Sequence, residues 1–99
     1  MRFPDKNGNG AAPASTQEEA PIIALRALAW VMGDEDRAHR MLALTGLDAG
    51  QLRDRAADPE IGMATLDFLG AHEPDLIACA EALDLPPERL MQAAQELGR

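Results

Sequence analysis

The side chains that could act as acids, bases, nucleophiles or metal ligands are scattered along this sequence. Neither His39 nor His72 has a second histidine one helical turn away, which a zinc-binding helix requires. Glu35 lies four residues before His39, but such a pair is more typical of a solvated helix surface. The one cysteine, Cys79, stands among leucine, isoleucine and alanine, a context typical of an inert buried thiol. We therefore expect neither a metal nor a cofactor.

The carboxylates have a structural explanation of their own. Four of them stand at the starts of predicted helices, where they would cap free backbone N–H groups: Asp34, Asp48, Asp58 and Glu73. Serine is absent after residue 15 and tyrosine is absent altogether, which removes two kinds of nucleophile. The glycine-rich stretch at residues 7–10 follows no strand and starts no helix, so it is not a phosphate loop. These observations predict that the protein is not an enzyme.

The element that must organise the chain is the apolar stretch from Pro21 to Gly33. Its only charged or polar side chain is Arg26. A helix that is apolar on every side is normally buried, because a surface helix keeps one polar face. The stretch is too short to cross a bilayer, which takes about 20 residues. It is therefore predicted to be the central helix of a small bundle, hidden from water on all sides.

Capping residues and prolines divide the rest of the chain into five more helices. These are predicted over Glu35–Leu44, Ala49–Ala57, Pro59–Gly70, Glu73–Leu83 and from Pro86-Pro87 to Gly98. No segment alternates with the period of a strand, so we expect no sheet. The prediction is an all-α, compact six-helix bundle: a single domain over residues 17–99 after a disordered tail, residues 1–16. Its predicted core is Ile23, Leu28, Val31, Leu42, Leu47, Leu52, Leu66, Leu69, Ile77, Leu83, Leu85 and Leu90.

A shift of 38 residues aligns the chain with itself. Pro21 then coincides with Pro59 and Trp30 with Phe68, which suggests two related three-helix units with helix-turn-helix-like corners, residues 21–58 and 59–96. Shared caps and spacing could produce the same match without duplication. The second unit has a polar face that the first lacks, formed by Glu60, Thr65 and Asp67. The surplus apolar face of residues 22–32 must be covered by the second unit or by a second chain, hence a possible homodimer through helix 21–33.

The charge balance restricts the partners. Nine basic and 17 acidic side chains give a net charge of −8, which repels nucleic acid and anionic membranes. The second and third helices nevertheless have the dimensions of a helix-turn-helix, although aspartates in that segment oppose DNA binding. We predict a protein-interaction module with an unknown protein partner; the alternative is a DNA-binding or transcription accessory protein. The candidate interaction surface is Trp30, Arg37, Arg40, Gln51, Arg53 and Arg55.

Several segments resemble a known family. They are Ala27-Leu-Ala-Trp30, Leu42-Ala-Leu-Thr-Gly-Leu-Asp48, Leu52-Arg-Asp-Arg-Ala-Ala-Asp-Pro59, Leu66-Asp-Phe-Leu69 and Leu83-Asp-Leu-Pro-Pro-Glu88. Together they are similar to an alphaproteobacterial domain-of-unknown-function family, number 3572, over about residues 20–98. The resemblance implies an all-helical bacterial protein with no assigned activity, so it transfers no functional residue. Since the first residues show no apolar signal-peptide core, we expect the protein to be cytoplasmic.

Overall fold

A computed structural model describes residues 19–98, all of whose regular structure is helical. The helices are α1 (Ala20–Met32), α2 (Glu35–Thr45), α3 (Ala49–Asp54), α4 (Pro59–Gly70), α5 (Glu73–Leu83) and α6 (Pro87–Leu97). The all-α prediction is therefore confirmed for this part of the chain. The predicted tail, residues 1–16, lies outside the described residues. No helix within residues 19–98 is long and apolar enough to span a membrane.

Three of the predicted caps are confirmed by hydrogen bonds. Asp34 Oδ2 accepts from the backbone N–H of Arg37, and Asp58 Oδ1 accepts from that of Glu60. Asp48 forms a complete capping box with residue 51 at the start of α3. The fourth expectation was wrong, since α5 has His72 at its N-cap position, without a side-chain cap, and Glu73 is the first helical residue. These local signals explain why most helix starts lie where the sequence places them.

The third helix is shorter than predicted, ending at Asp54 and not at Ala57. After Asp54 the backbone tightens into turns, in which the N–H of Asp58 donates to the carbonyl oxygen of Arg55. Asp58 must then adopt an extended conformation, as residues before proline prefer. The preceding corner is as expected, because Gly46 ends α2 in the left-handed region at φ 73°.

The helix α1 lies at the centre and packs against α2, α4, α5 and α6. Of the predicted core, nine residues are buried and Leu42 and Leu47 are half-buried against it. Ile77 was wrongly placed in the core and is 47% exposed. The helix α5 directs Cys79, Ala80 and Leu83 inward, and Ile77 lies on its other side.

The prediction that α1 is hidden on all sides was also wrong. Its buried face, which includes Ile23, Ala27 and Val31, meets the packed helices. On its other side Ile22 is 48% and Leu25 40% exposed, and Ala29 is exposed as well. Neither the second half of the chain nor α3 covers this apolar stripe. It is the main departure of the structure from the sequence pattern.

The two predicted three-helix units share one core, and their relationship stays a prediction. The proline-led helices α1 and α4 pack against each other, and both pack against α6. The predicted polar face of α4 is only partly correct, since Glu60 and Asp67 are exposed but Thr65 is fully buried. Burial of Thr65 is tolerated because its Oγ1 donates to the carbonyl oxygen of Ile61 over 2.8 Å.

Candidate functional site

An apolar groove lies between α1 and α3. Four residues on each side line it: Leu25, Leu28, Ala29 and Met32 from α1, and Ala49, Leu52 and Arg53 from α3 with Ala56 from the turn after it. Its volume is about 430 Å³, within the range of binding pockets in general. We call it the α1–α3 groove. It lies on the side of α1 that the other helices leave uncovered.

Helical spacing explains why these residues share a groove. In α1 the lining residues fall at positions i, i+3, i+4 and i+7, which lie on one face, and in α3 they fall at i, i+3 and i+4, with Ala56 in the turn that follows. Leu28 and Leu52 are buried and form the floor, Leu52 being only 1% exposed. Ala29 and Ala56 have small side chains, so a partner could approach the backbone on both sides closely. Exposed Ile22 lies one turn before Leu25 and extends the apolar surface beyond the groove.

Arg53 is the one charged residue in the lining of the α1–α3 groove. Its side chain is exposed and forms no hydrogen bond or ion pair within residues 19–98. The other arginines in that range all have polar contacts. The groove therefore combines apolar walls with one positive charge that the described chain leaves unpaired.

Trp30 and Arg37 of the predicted interaction surface contact each other. The Arg37 Cζ lies 3.6 Å from the centroid of the Trp30 ring, and its Nη2 donates to the Trp30 carbonyl oxygen over 3.2 Å. This is a close cation–π stack, and Trp30 is half-buried beneath it. The pair connects the end of α1 to the start of α2 and so stabilises the turn between these helices.

Arg40 belongs to a different cluster, between α2 and α5. Its Nη2 donates to Asp75 Oδ2 over 3.0 Å, and its Cζ lies 5.2 Å from the centroid of Phe68. The Nδ1 of His72 is 3.2 Å from the same Asp75 oxygen. One carboxylate thus serves two basic groups, and Arg40 links two helices that are far apart in the sequence.

The last two predicted interaction residues are engaged at helix ends. Gln51 accepts from the N–H of Asp48 over 3.0 Å and its own N–H donates to Asp48 Oδ1 over 2.8 Å. Arg55 pairs with Asp58 over 3.2 Å. The six residues of the predicted interaction surface therefore take part in separate contacts. Of these six, Arg53 is the one that lines the α1–α3 groove.

Cys79 is poorly suited to chemistry. It is fully buried, and burial raises the pKa of its thiol to about 11. The nearby Arg37 and Arg26 partly oppose this rise by favouring the thiolate. Within residues 19–98 no three histidine, cysteine or acidic side chains are grouped as a metal site would need.

The sequence analysis missed the apolar lining of the groove, because it treated the α1 stripe as buried. One signal in the sequence pointed to the error. At the shift of 38 residues, exposed Ile22 coincides with Glu60 and exposed Ala29 with Asp67. The helix α4 thus carries acids at the positions where α1 carries apolar residues. Glu60 and Asp67 are exposed as well, so the equivalent positions of the two helices both face outward.

Comparison with known proteins gives one match. The model of a family described as "Protein of unknown function (DUF3572)" matches residues 17–99. No curated protein and no solved structure matches the chain.

Proposed function

We propose that this chain, which belongs to the DUF3572 family, is a cytoplasmic protein-interaction module without catalytic activity. The observation that carries the proposal is the α1–α3 groove, an apolar surface beside the central helix. Its occupant is a helix of a partner protein. Among the ionisable side chains near it, Asp48 caps α3 and Arg55 pairs with Asp58.

Burial of the exposed stripe supplies a driving force for binding. Complete burial of a leucine or isoleucine side chain contributes about 1.5–3 kcal/mol. Since Ile22 and Leu25 are each nearly half exposed, covering them would contribute about 1 kcal/mol each. The alanines and Met32 of the lining add further contact area. Such an arrangement is typical of grooves that take the apolar face of a helix.

The DNA-binding alternative receives less support. Arg40 and Arg55 are paired with carboxylates, and Arg37 lies against Trp30, so these arginines do not project towards a phosphate backbone. The net charge of −8 opposes the approach of DNA as well. A gel-shift assay with random duplex at low salt separates the two functions, since a DNA-binding protein retards the duplex and an interaction module does not.

Site-specific photo-crosslinking tests the proposed function. A benzophenone amino acid replaces Leu25 in one variant and exposed Leu44, outside the groove, in another. The proposal predicts that position 25 captures a defined protein in the cells that produce this chain and position 44 does not. The captured protein is then purified, and its affinity should fall at least tenfold with Ala29→Glu and remain unchanged with Leu44→Glu. Equal capture from both positions, or none from position 25, would contradict the proposal.

A further inference from the structure

The unpaired charge of Arg53 indicates the chemistry of the partner. With 17 acidic residues, the chain offers its arginines many carboxylate partners. Arg53 has none within residues 19–98, although Arg40, Arg55 and Arg89 all pair with acids. It also lies at an apolar surface, where an ion pair is better shielded from water than on a fully solvated face.

From this position we infer that the α1–α3 groove binds an amphipathic helix of a different protein, one that presents a carboxylate to Arg53 beside its apolar side chains. The inference rests on the proposed function and adds the chemistry of the partner. The planar guanidinium can donate two parallel hydrogen bonds to a carboxylate, which fixes the register of a bound helix. Apolar contacts then provide affinity and Arg53 provides selectivity.

The dimensions of the groove fit a helix. The four lining residues of α1 are spread over eight positions, which corresponds to about 10 Å of helix, or two turns. A partner helix with apolar residues at i, i+3, i+4 and i+7 matches this length. Ala29, Ala49 and Ala56 leave room for its larger side chains between the bulkier Leu25 and Met32.

A second copy of the chain fits the groove less well. In a homodimer through helix 21–33, α1 of the partner copy would occupy the groove. The residues of α1, Ala20–Met32, include no acid and one base, Arg26. Such a helix covers the apolar stripe but has no carboxylate of its own to pair with Arg53. Charge complementarity therefore favours a different protein over self-association.

Designed peptides test this inference directly. The probes are fluorescein-labelled, stapled helices of about 15 residues, with leucines at i, i+3, i+4 and i+7. Three versions carry Glu, Gln or Lys at the position next to the leucine stripe. Their affinities are measured by fluorescence anisotropy for the wild-type chain, Arg53→Gln and Arg53→Glu. Ala29→Glu and Leu44→Glu serve as variants of the groove and of a surface outside it.

We expect the wild-type chain to bind the Glu peptide about threefold more tightly than the Gln peptide and about tenfold more tightly than the Lys peptide. Arg53→Gln should remove the preference and Arg53→Glu should reverse it. Ala29→Glu should abolish binding of every peptide, whereas Leu44→Glu should leave all affinities unchanged.

Two results would overturn the inference while preserving a binding role for the groove. One is binding of all three peptides with equal affinity, blocked by Ala29→Glu. The other is a stable dimer of the 10.6 kDa chain by light scattering, disrupted by Ala29→Glu. Loss of the proposed function itself has a different signature: no peptide binds, the chain is monomeric, and photo-crosslinking from position 25 captures nothing.

Discussion

Leu25 of α1 and Arg53 of α3 line the same groove from opposite walls. Leu25 is 40% exposed, and Arg53 has no polar partner within residues 19–98. An apolar side chain and an unpaired charge thus face the same open space beside the central helix. A bound protein would cover the apolar side chain and pair with the charge, and these two requirements define the partner that we propose.

The exposure of Leu25 predicts a difference between two leucines of the same helix. Leu25→Ala should lower the free energy of unfolding by less than about 1 kcal/mol, because much of this side chain already contacts water. Leu28→Ala, three residues later and 5% exposed, should cost about 2 kcal/mol or more. Urea denaturation of both variants measures the difference. Equal losses would mean that Leu25 is covered in solution.

The left-handed turn after α2 predicts opposite effects of alanine at two glycines. Gly46→Ala should destabilise the chain by about 1 kcal/mol, because φ is 73° there and an L side chain is strained. The cause is conformational, since an added Cβ at this position meets nothing within 4 Å. Gly50→Ala, inside α3, should be neutral or stabilising by up to about 1 kcal/mol. Thermal unfolding distinguishes them, and a neutral Gly46→Ala would contradict the assigned turn.

Burial of Cys79 predicts that its thiol reacts slowly and that the stability of the fold decreases at alkaline pH. Because burial raises the thiol pKa to about 11 from the ordinary 9.0, the folded state holds its proton more tightly than the unfolded state. The associated stability is fully present below pH 9 and is lost as the pH rises through 11. At pH ~8 an aromatic disulfide reagent should react far more slowly with the native chain than with the chain in guanidinium. Equal rates would show that the thiol is accessible.

The contacts of Asp58 predict that the stability of the fold decreases at acidic pH. The backbone N–H of Glu60 and the side chain of Arg55 lower the pKa of Asp58 below its ordinary 3.8. The stabilisation is therefore complete above that value and is lost as the pH falls through the lower folded pKa. Asp58→Asn should make the acid-side loss of stability shallower than in the wild type. Asp67→Asn, which changes an exposed carboxylate of the same helix, is the control.

Local signals allowed the sequence to predict most helix boundaries. Asp34, Asp48 and Asp58 cap helices through contacts within a few residues, so neighbouring residues suffice to locate them. The same holds for Gly46 at the end of α2.

The exposure of apolar residues could not be predicted in this way. Whether Ile22, Leu25 or Ile77 is buried depends on which distant helix lies over it, and the hydrophobic pattern of one helix contains no such information. The error at α1 followed from the assumption that a helix apolar on every side is also buried on every side. The groove lies on the uncovered side of α1, and the sequence analysis named Arg53 as a surface residue without identifying its apolar neighbours.

Methyl cross-saturation NMR tests the central claim most directly, on the labelled chain bound to the protein that position 25 captures. The methyl groups of Leu25, Leu28, Met32 and Leu52 report on the α1–α3 groove, and those of Leu44 and Ile77 report on exposed apolar positions elsewhere. We predict that saturation of the partner transfers to the four groove methyls and not to the other two. Transfer to Leu44 or Ile77 with none to the groove would contradict the proposal that this groove is the binding site.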